Sequence, residues 1–233
     1  SRGLPVVCLH GGPGGHSRFM TELFKLSDER QVFLYDQVGG GRSSATSKRH
    51  WSIATFVDEL AILIDAWKLD RFHLFGASWG TTLALEYLLK RKTGIRSLIF
   101  QSPMFSARDW QEDANHLIRK LPAATRKVID YCHEIGATDS KVYQEATALY
   151  YARHVCRNKS QAKRSREIKN PNGNRIYQYM WGASEFSATG TLKDYDRTDQ
   201  LSRIRHPTLF VCGHHDEARP STARRYARAM PNA

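Results

Sequence analysis

Ser78 sits in the pentapeptide Gly76-Ala77-Ser78-Trp79-Gly80, which follows the apolar run Phe72-His73-Leu74-Phe75 and opens a helical pattern. A serine hydroxyl is a weak nucleophile unless a base takes its proton. A tight turn from strand to helix lifts such a hydroxyl clear of the sheet and sets it at a helix N-terminus, where partial positive charge favours a developing anion. Only small residues fit around that turn. The pattern G-x-S-x-G also arises by chance, so its weight comes from the strand-turn-helix context. The chemistry it points to is acyl transfer, with Ser78 as the nucleophile.

Acyl transfer needs hydrogen-bond donors aimed at the oxyanion of the tetrahedral intermediate. The segment His10-Gly11-Gly12-Pro13-Gly14 directly follows the apolar run Val6-Val7-Cys8-Leu9. Its glycines let backbone N–H groups come close to a reacting carbonyl. The expected oxyanion hole is the N–H of Gly12 with that of Trp79, the residue after the nucleophile. A phosphate-binding glycine loop is the competing reading, and it is weak because no Lys-Ser/Thr follows. A third glycine-rich turn, Asp36-Gln37-Val38-Gly39-Gly40-Gly41-Arg42-Ser43, has structural duties and is assigned no chemistry.

These loops need a scaffold. Five short apolar runs lack polar alternation: Val6–Leu9, Val32–Tyr35, Phe72–Phe75, Ser97–Phe100 and Thr208–Cys212. Such runs fit strands buried on both faces of a parallel sheet. Helical spacing lies between them. Ile53, Phe56, Val57, Leu60, Leu63, Ile64 and Trp67 follow Ser52, a plausible N-cap. Trp79 to Lys92 predicts a second helix, with Lys90, Arg91 and Lys92 near its negative end. Alternation of strand and helix makes the class α/β. It stops after Pro103. Residues 104–200 carry helical patterns, including Leu117, Ile118, Leu121, Val128, Ile129, Val142, Ala146, Leu149 and Tyr150. Within them Asn170-Pro171-Asn172-Gly173-Asn174 reads as a turn or loop. The expected organisation is a core over 1–103, a helical cap over 104–200, and the core resumed over 201–233.

The sequence has 233 residues, 41% of them hydrophobic, enough for a sizeable core. No run approaches the ~20 apolar residues of a membrane span. Cys8, Cys132, Cys156 and Cys212 have no metal-ligand spacing. They are expected to be free thiols in a reducing, cytoplasmic compartment. The net charge is +12, much of it from Arg153, Arg157, Lys159, Lys163, Arg164, Arg166 and Lys169. No nucleic-acid motif accompanies that stretch, and a solvated helix face explains it. The sequence opens on Ser1 and enters a strand within six residues, so a longer encoded protein is expected.

Together, His10 to Gly14, Asp36 to Ser43 and Gly76 to Gly80 resemble the proline iminopeptidase branch of the α/β-hydrolases. That branch includes proline iminopeptidases, the tricorn-interacting aminopeptidase and L-amino acid amidases. Met180-Trp181-Gly182-Ala183-Ser184-Glu185-Phe186 and Thr189-Gly190-Thr191-Leu192-Lys193 add to the likeness, with Ala183 where proline is common. The resemblance runs from about residue 4 to the end. It implies a serine hydrolase that releases an N-terminal residue from short peptides or amino acid amides through an acyl-enzyme, without metal or cofactor and without nucleic-acid or membrane partners. It implies Asp216, in Gly213-His214-His215-Asp216-Glu217, as the acid that orients a histidine. It implies Glu185 and Glu217 as carboxylates gripping the substrate's free ammonium, which suits a cation in a cleft. The order in this fold is serine, acid, histidine. All ten histidines precede Asp216, so the base is expected beyond Ala233. An esterase, lactonase or epoxide hydrolase of the same fold, or an inactive binding relative, are the alternatives.

Overall fold

The structure is a computed structural model that describes residues 3–91, 93–167 and 169–233, without the side chains of 164–167. Lys92 and the side chains of Arg164 and Arg166 therefore lie outside the described residues. Five parallel strands form one sheet in the order β2-β1-β3-β4-β5. They are β1 (Gly3–Leu9), β2 (Arg30–Leu34), β3 (Phe72–Ala77), β4 (Ile95–Gln101) and β5 (Thr208–Val211). Each contains the apolar run that predicted it or falls within one residue of it.

Side-chain alternation sorts the strands into two faces. Val7, Leu9, Phe72 and Leu74 join one core with helices α1 (Ile53–Ala66), α2 (Trp79–Lys90) and α8 (Pro220–Ala229). Val6 and Cys8 point the other way, against Met20 and Leu23 of a 3-10 segment, Ser17–Leu26. Ser52 does cap α1, its hydroxyl accepting from the Thr55 N–H. Helix α2 runs through the middle of the structure and buries nine of its twelve residues. Its buried threonines are satisfied: Thr82 donates to the Met104 carbonyl at 2.6 Å, and Thr81 accepts from the Met104 N–H at 2.9 Å. Leu83, Leu85 and Phe100 are fully buried, each stabilising the fold by roughly 1.5–3 kcal/mol.

Between β4 and β5 lie α3 (Ala107–Ile118), α4 (Ala123–Glu134), α5 (Lys141–Tyr150), α6 (Lys159–Glu167) and α7 (Pro171–Met180). Leu121 falls in the bend between α3 and α4 rather than in a helix. A π-turn, Tyr151–Val155, continues α5. Leu117, Leu121, Ile129, Tyr143, Tyr150 and Phe186 build a core of their own here. Ile176 and Met180 of α7, by contrast, pack into the main core. Among the described residues, no helix is long and apolar enough to cross a membrane. The four cysteines are free, and burial pushes the Cys8 thiol up to about 12.

The expectation of a turn at 170–174 is corrected. Asn170 is the N-cap of α7, its side-chain oxygen accepting from the Gly173 N–H at 3.2 Å, and Pro171 occupies the first turn. Proline suits that position because its missing N–H would have no helical partner there. Asn170 also accepts from the Gly41 N–H and donates to the Gly14 carbonyl at 2.8 Å. One side chain thus ties α7 to both glycine-rich loops. An ordinary cap is worth about 1 kcal/mol, and each further internal hydrogen bond about as much. Asn170→Ala is therefore expected to cost roughly 2–3 kcal/mol in urea unfolding. A loss no larger than that of the Ser52→Ala cap variant would show that the two loop contacts contribute nothing.

Candidate active site

The site lies at the carboxyl ends of β3, β4 and β5. Ser78 follows β3 with φ of 52° and ψ of −121°, a conformation that L residues rarely hold. It is kept there by close packing on both sides. A Cβ on Gly76 would stand 2.4 Å from the Gly80 carbonyl oxygen, and one on Gly80 would stand 2.1 Å from that of Leu9. The Ser78 N–H donates to the Gln101 carbonyl at 2.9 Å, which stitches the turn to β4.

The loop after β1 lies against the serine. A Cβ on Gly11 would meet the Ser78 Cβ at 3.2 Å, and one on Gly12 would meet the Tyr177 ring at 3.3 Å. Gly12 has φ of 54°. Among the described residues its N–H donates to no protein group. The Trp79 N–H, first in α2, has no intrahelical acceptor. Both expected oxyanion donors therefore belong to segments that meet at Ser78.

Asp216 reaches the same edge from the loop after β5. Its Oδ2 accepts from the Ser102 hydroxyl at 2.7 Å and the Gly213 N–H at 3.0 Å, and its Oδ1 accepts from the Ala218 N–H at 3.0 Å. Ser102 was not singled out from sequence. It follows β4 as Ser78 follows β3, also has a positive φ, 50°, and donates its own N–H to the Val211 carbonyl. A serine after an apolar strand carries no mark of such a conformation. Neither His214 nor His215 hydrogen-bonds Asp216. Their rings pack edge-on at 4.9 Å, and the His215 carbonyl meets the His154 ring at 2.9 Å.

Glu185 follows α7 in the insertion, and Glu217 lies in the loop after β5. Burial, then the Glu185 and Asp216 charges, push the Glu217 carboxyl well above the usual range. Burial likewise pushes Glu185 up, and the neighbouring Tyr177 hydroxyl works the other way. That hydroxyl is near enough to influence the carboxylate, yet makes no hydrogen bond of good geometry. Among the described residues, buried Glu217 Oε2, Tyr150 Oη and Tyr177 Oη all lack a hydrogen-bond partner. Such groups are expensive unless a polar ligand meets them. The backbone around the pair is well held: Trp110 donates to the Glu185 carbonyl at 2.9 Å, Tyr151 accepts from its N–H at 3.2 Å, and the Glu217 N–H donates to the His154 carbonyl. The tyrosines were also missed from sequence: Tyr150 entered only as part of a helical pattern, and Tyr151 and Tyr177 were not singled out.

Behind the site, the third glycine-rich turn proves to be a brace. Burial pulls the Asp36 carboxyl up, but hydrogen bonds from Ser17 and Arg42 outweigh it and hold the group well below the usual carboxylate range. Gln37 is fully buried between His10 and Trp79. Burial pushes His10 down to about 4, so its ring is neutral near pH 7. Among the described residues, no cluster of three or more His, Cys, Asp or Glu side chains is placed to hold a metal ion.

The sequence profile of the alpha/beta hydrolase fold matches residues 5–233. The proline iminopeptidase of Heyndrickxia coagulans is 40% identical over 99% of this chain and 81% of its own length. Among solved structures, VinJ superposes with a TM-score of 0.89 at 32% identity, covering 98% of this chain and 80% of VinJ. The proline iminopeptidase of Mycobacterium smegmatis superposes at 0.86 with 33% identity, covering 98% of this chain and 79% of that one. The chain belongs to the proline iminopeptidase family of α/β-hydrolases.

Proposed function

We propose that this protein is a serine aminopeptidase that releases an N-terminal residue, proline foremost, from short peptides or amino acid amides. The observation that carries this reading is the pairing of buried Glu217 with half-buried Glu185, with Glu217 Oε2 and, among the described residues, the Tyr177 hydroxyl left without a hydrogen-bond partner of good geometry near a strained serine turn. Two carboxylates in an enclosed site are best balanced by an ammonium. A free N-terminal amine provides one, and gripping it sets how far into the site the next carbonyl reaches. An ester or lactone without an amine would leave the pair unmatched.

In the proposed reaction Ser78 Oγ attacks that carbonyl and its proton passes to a histidine oriented by Asp216. None of the described histidines hydrogen-bonds Ser78 or Asp216, and we assign this role to one after residue 233. The N–H groups of Gly12 and Trp79 receive the oxyanion. The histidine returns the proton to the leaving nitrogen, the C–N bond breaks, and an acyl-Ser78 ester remains. Water, deprotonated by the same histidine, then releases the amino acid and restores Ser78. Ser102 holds Asp216 in place. Residues 104–200 act as the cap, with Tyr177 and Glu185 as its contribution to the substrate site.

In the full-length protein a fluorophosphonate probe is expected to label Ser78, and Ser78→Ala should abolish both labelling and turnover. Labelling that persists in the variant would move the nucleophile elsewhere. N-acetylation of an L-prolyl anilide should lower kcat/KM by roughly 10³-fold, because a carboxylate pair left without its cation costs about 3–5 kcal/mol. Equal kcat/KM for the two substrates would reject the aminopeptidase reading.

The raised carboxyls also predict a pH dependence. A carboxyl whose folded value exceeds its unfolded value binds an extra proton in the folded state between the two, so rising pH through that window destabilises the free protein. An ammonium ligand favours the ionised pair and offsets this loss. In the Ser78→Ala variant, L-prolinamide should raise Tm more at about pH 7 than at about pH 5. A ligand-induced shift that is equal or larger at the lower pH would contradict the assigned role of the pair.

A further inference from the structure

The His10-Gln37-Trp79 brace has no part in the chemistry described above, yet it touches both segments that supply the oxyanion donors. The Gln37 N–H donates to His10 Nε2 at 3.0 Å. That nitrogen is therefore an acceptor, and the ring proton sits on Nδ1. Nδ1 lies 3.0 Å from the Gly11 carbonyl oxygen and donates to it. The Gln37 side chain closes the circuit from both ends. Its Nε2 donates to the His10 carbonyl at 3.1 Å, and its Oε1 accepts from the Trp79 indole Nε1–H at 2.9 Å. Gln37 and His10 are both buried and every polar atom of the two side chains is engaged.

The Gly11 carbonyl and the Gly12 N–H belong to one peptide unit. That unit is planar and trans, so its C=O and N–H point in opposite directions. Holding the Gly11 oxygen on His10 thus turns the Gly12 N–H away from His10, on a peptide that lies between Ser78 and Tyr177. Glycine has the widest backbone freedom, and Gly11-Gly12 would otherwise sample many orientations. On the other side, the indole contact fixes the ring of Trp79, whose backbone N–H is the second donor. A planar ring buried and bonded at its far end fixes the backbone that carries it.

We infer that Gln37 is a positioning residue for catalysis, which sets the orientation of both oxyanion donors at once, through His10 to Gly12 on one side and through the indole to Trp79 on the other. The inference rests on the aminopeptidase reading given above. Oxyanion donors work only when aimed at where charge develops, and misplacement by about 1 Å can cost on the order of 10²-fold in rate. The effect belongs to the transition state, so it falls on kcat rather than on KM.

The test uses the full-length enzyme, with rates expressed per active site titrated by fluorophosphonate, so that loss of folded protein is separated from loss of rate. Gln37→Leu removes both side-chain links. It should lower kcat for an L-prolyl anilide roughly 10–100-fold with KM within about 2-fold. A prolyl boronate, which forms a tetrahedral adduct on the nucleophile, should weaken by the same factor as kcat/KM falls, while the affinity for L-proline stays unchanged. Trp79→Phe removes only the indole donor, and Gln37→Glu keeps the indole's acceptor. Both should lie between wild type and Gln37→Leu. The inference is overturned if kcat per titrated site stays near wild type in Gln37→Leu, or if boronate and proline weaken equally. If Gln37→Leu does not fold, the same comparison in Trp79→Phe and Gln37→Glu decides. A wild-type enzyme unable to cleave L-prolyl anilide would reject the functional reading instead, and is thereby a distinct result.

Discussion

The arrangement depends on one close approach, that of the first turn of α2 to the end of β1. Position 80 has no room for a Cβ, since the Leu9 carbonyl oxygen would stand 2.1 Å from it. Glycine there lets the helix start hard against the sheet. The turn between β3 and α2 is then so short that Ser78 must take a positive φ. That strain costs on the order of 1–3 kcal/mol and persists only because the surroundings over-determine it. The surroundings are β4, which accepts the Ser78 N–H, and a helix buried on nearly every side. A serine so held has its hydroxyl fixed by backbone rather than by rotamer choice alone.

The same logic recurs one strand over. Ser102 follows β4 with a positive φ and bonds both β5 and Asp216. Parallel strands bring their carboxyl ends to one edge, so three loops that are far apart in sequence meet along it. The sheet therefore sets the distances between groups, and the loops only choose which group stands at each. Ion pairs farther back hold the insertion against this edge. Asp113 of α3 accepts from the Arg219 backbone N–H and meets its guanidinium at 3.4 Å. Asp109 accepts from Tyr226 and Arg225 of α8 at 2.8 Å each.

The stability of the insertion and the composition of the site are in tension. Phe186 is buried in the insertion's own core, one residue from Glu185, whose carboxyl is pushed up by loss of solvent. The fold tolerates this because Trp110 and Tyr151 fix the backbone there. Free of ligand, the site holds groups that water would solvate better. In the proposed function a bound cation would relieve that cost, and a destabilised pocket would thereby become a selective one.

Much of this was legible in the residues alone, where the constraint is local. Gly-x-Ser-x-Gly after an apolar run marks the strained turn because sterics act within five residues. The five strands are visible because burial on both faces removes polar alternation. Ser52 reads as a cap from its neighbours. Asn170 did not, because Asn-Pro-Asn-Gly-Asn suits both a turn and a helix start, and what selects the helix is contact with Gly14 and Gly41, more than a hundred residues away. Tyr177, Ser102 and Gln37 were silent for the same reason: each matters through a partner that only folding brings near. Sequence by itself determined which residues could be a nucleophile, a donor loop or a strand, since these follow from backbone geometry over a few residues. Tertiary structure alone decided that Ser102 meets Asp216, that Glu185 and Glu217 crowd one another beside Tyr177, and that a neutral His10 aims a peptide, because those are long-range distances set by the register of a sheet.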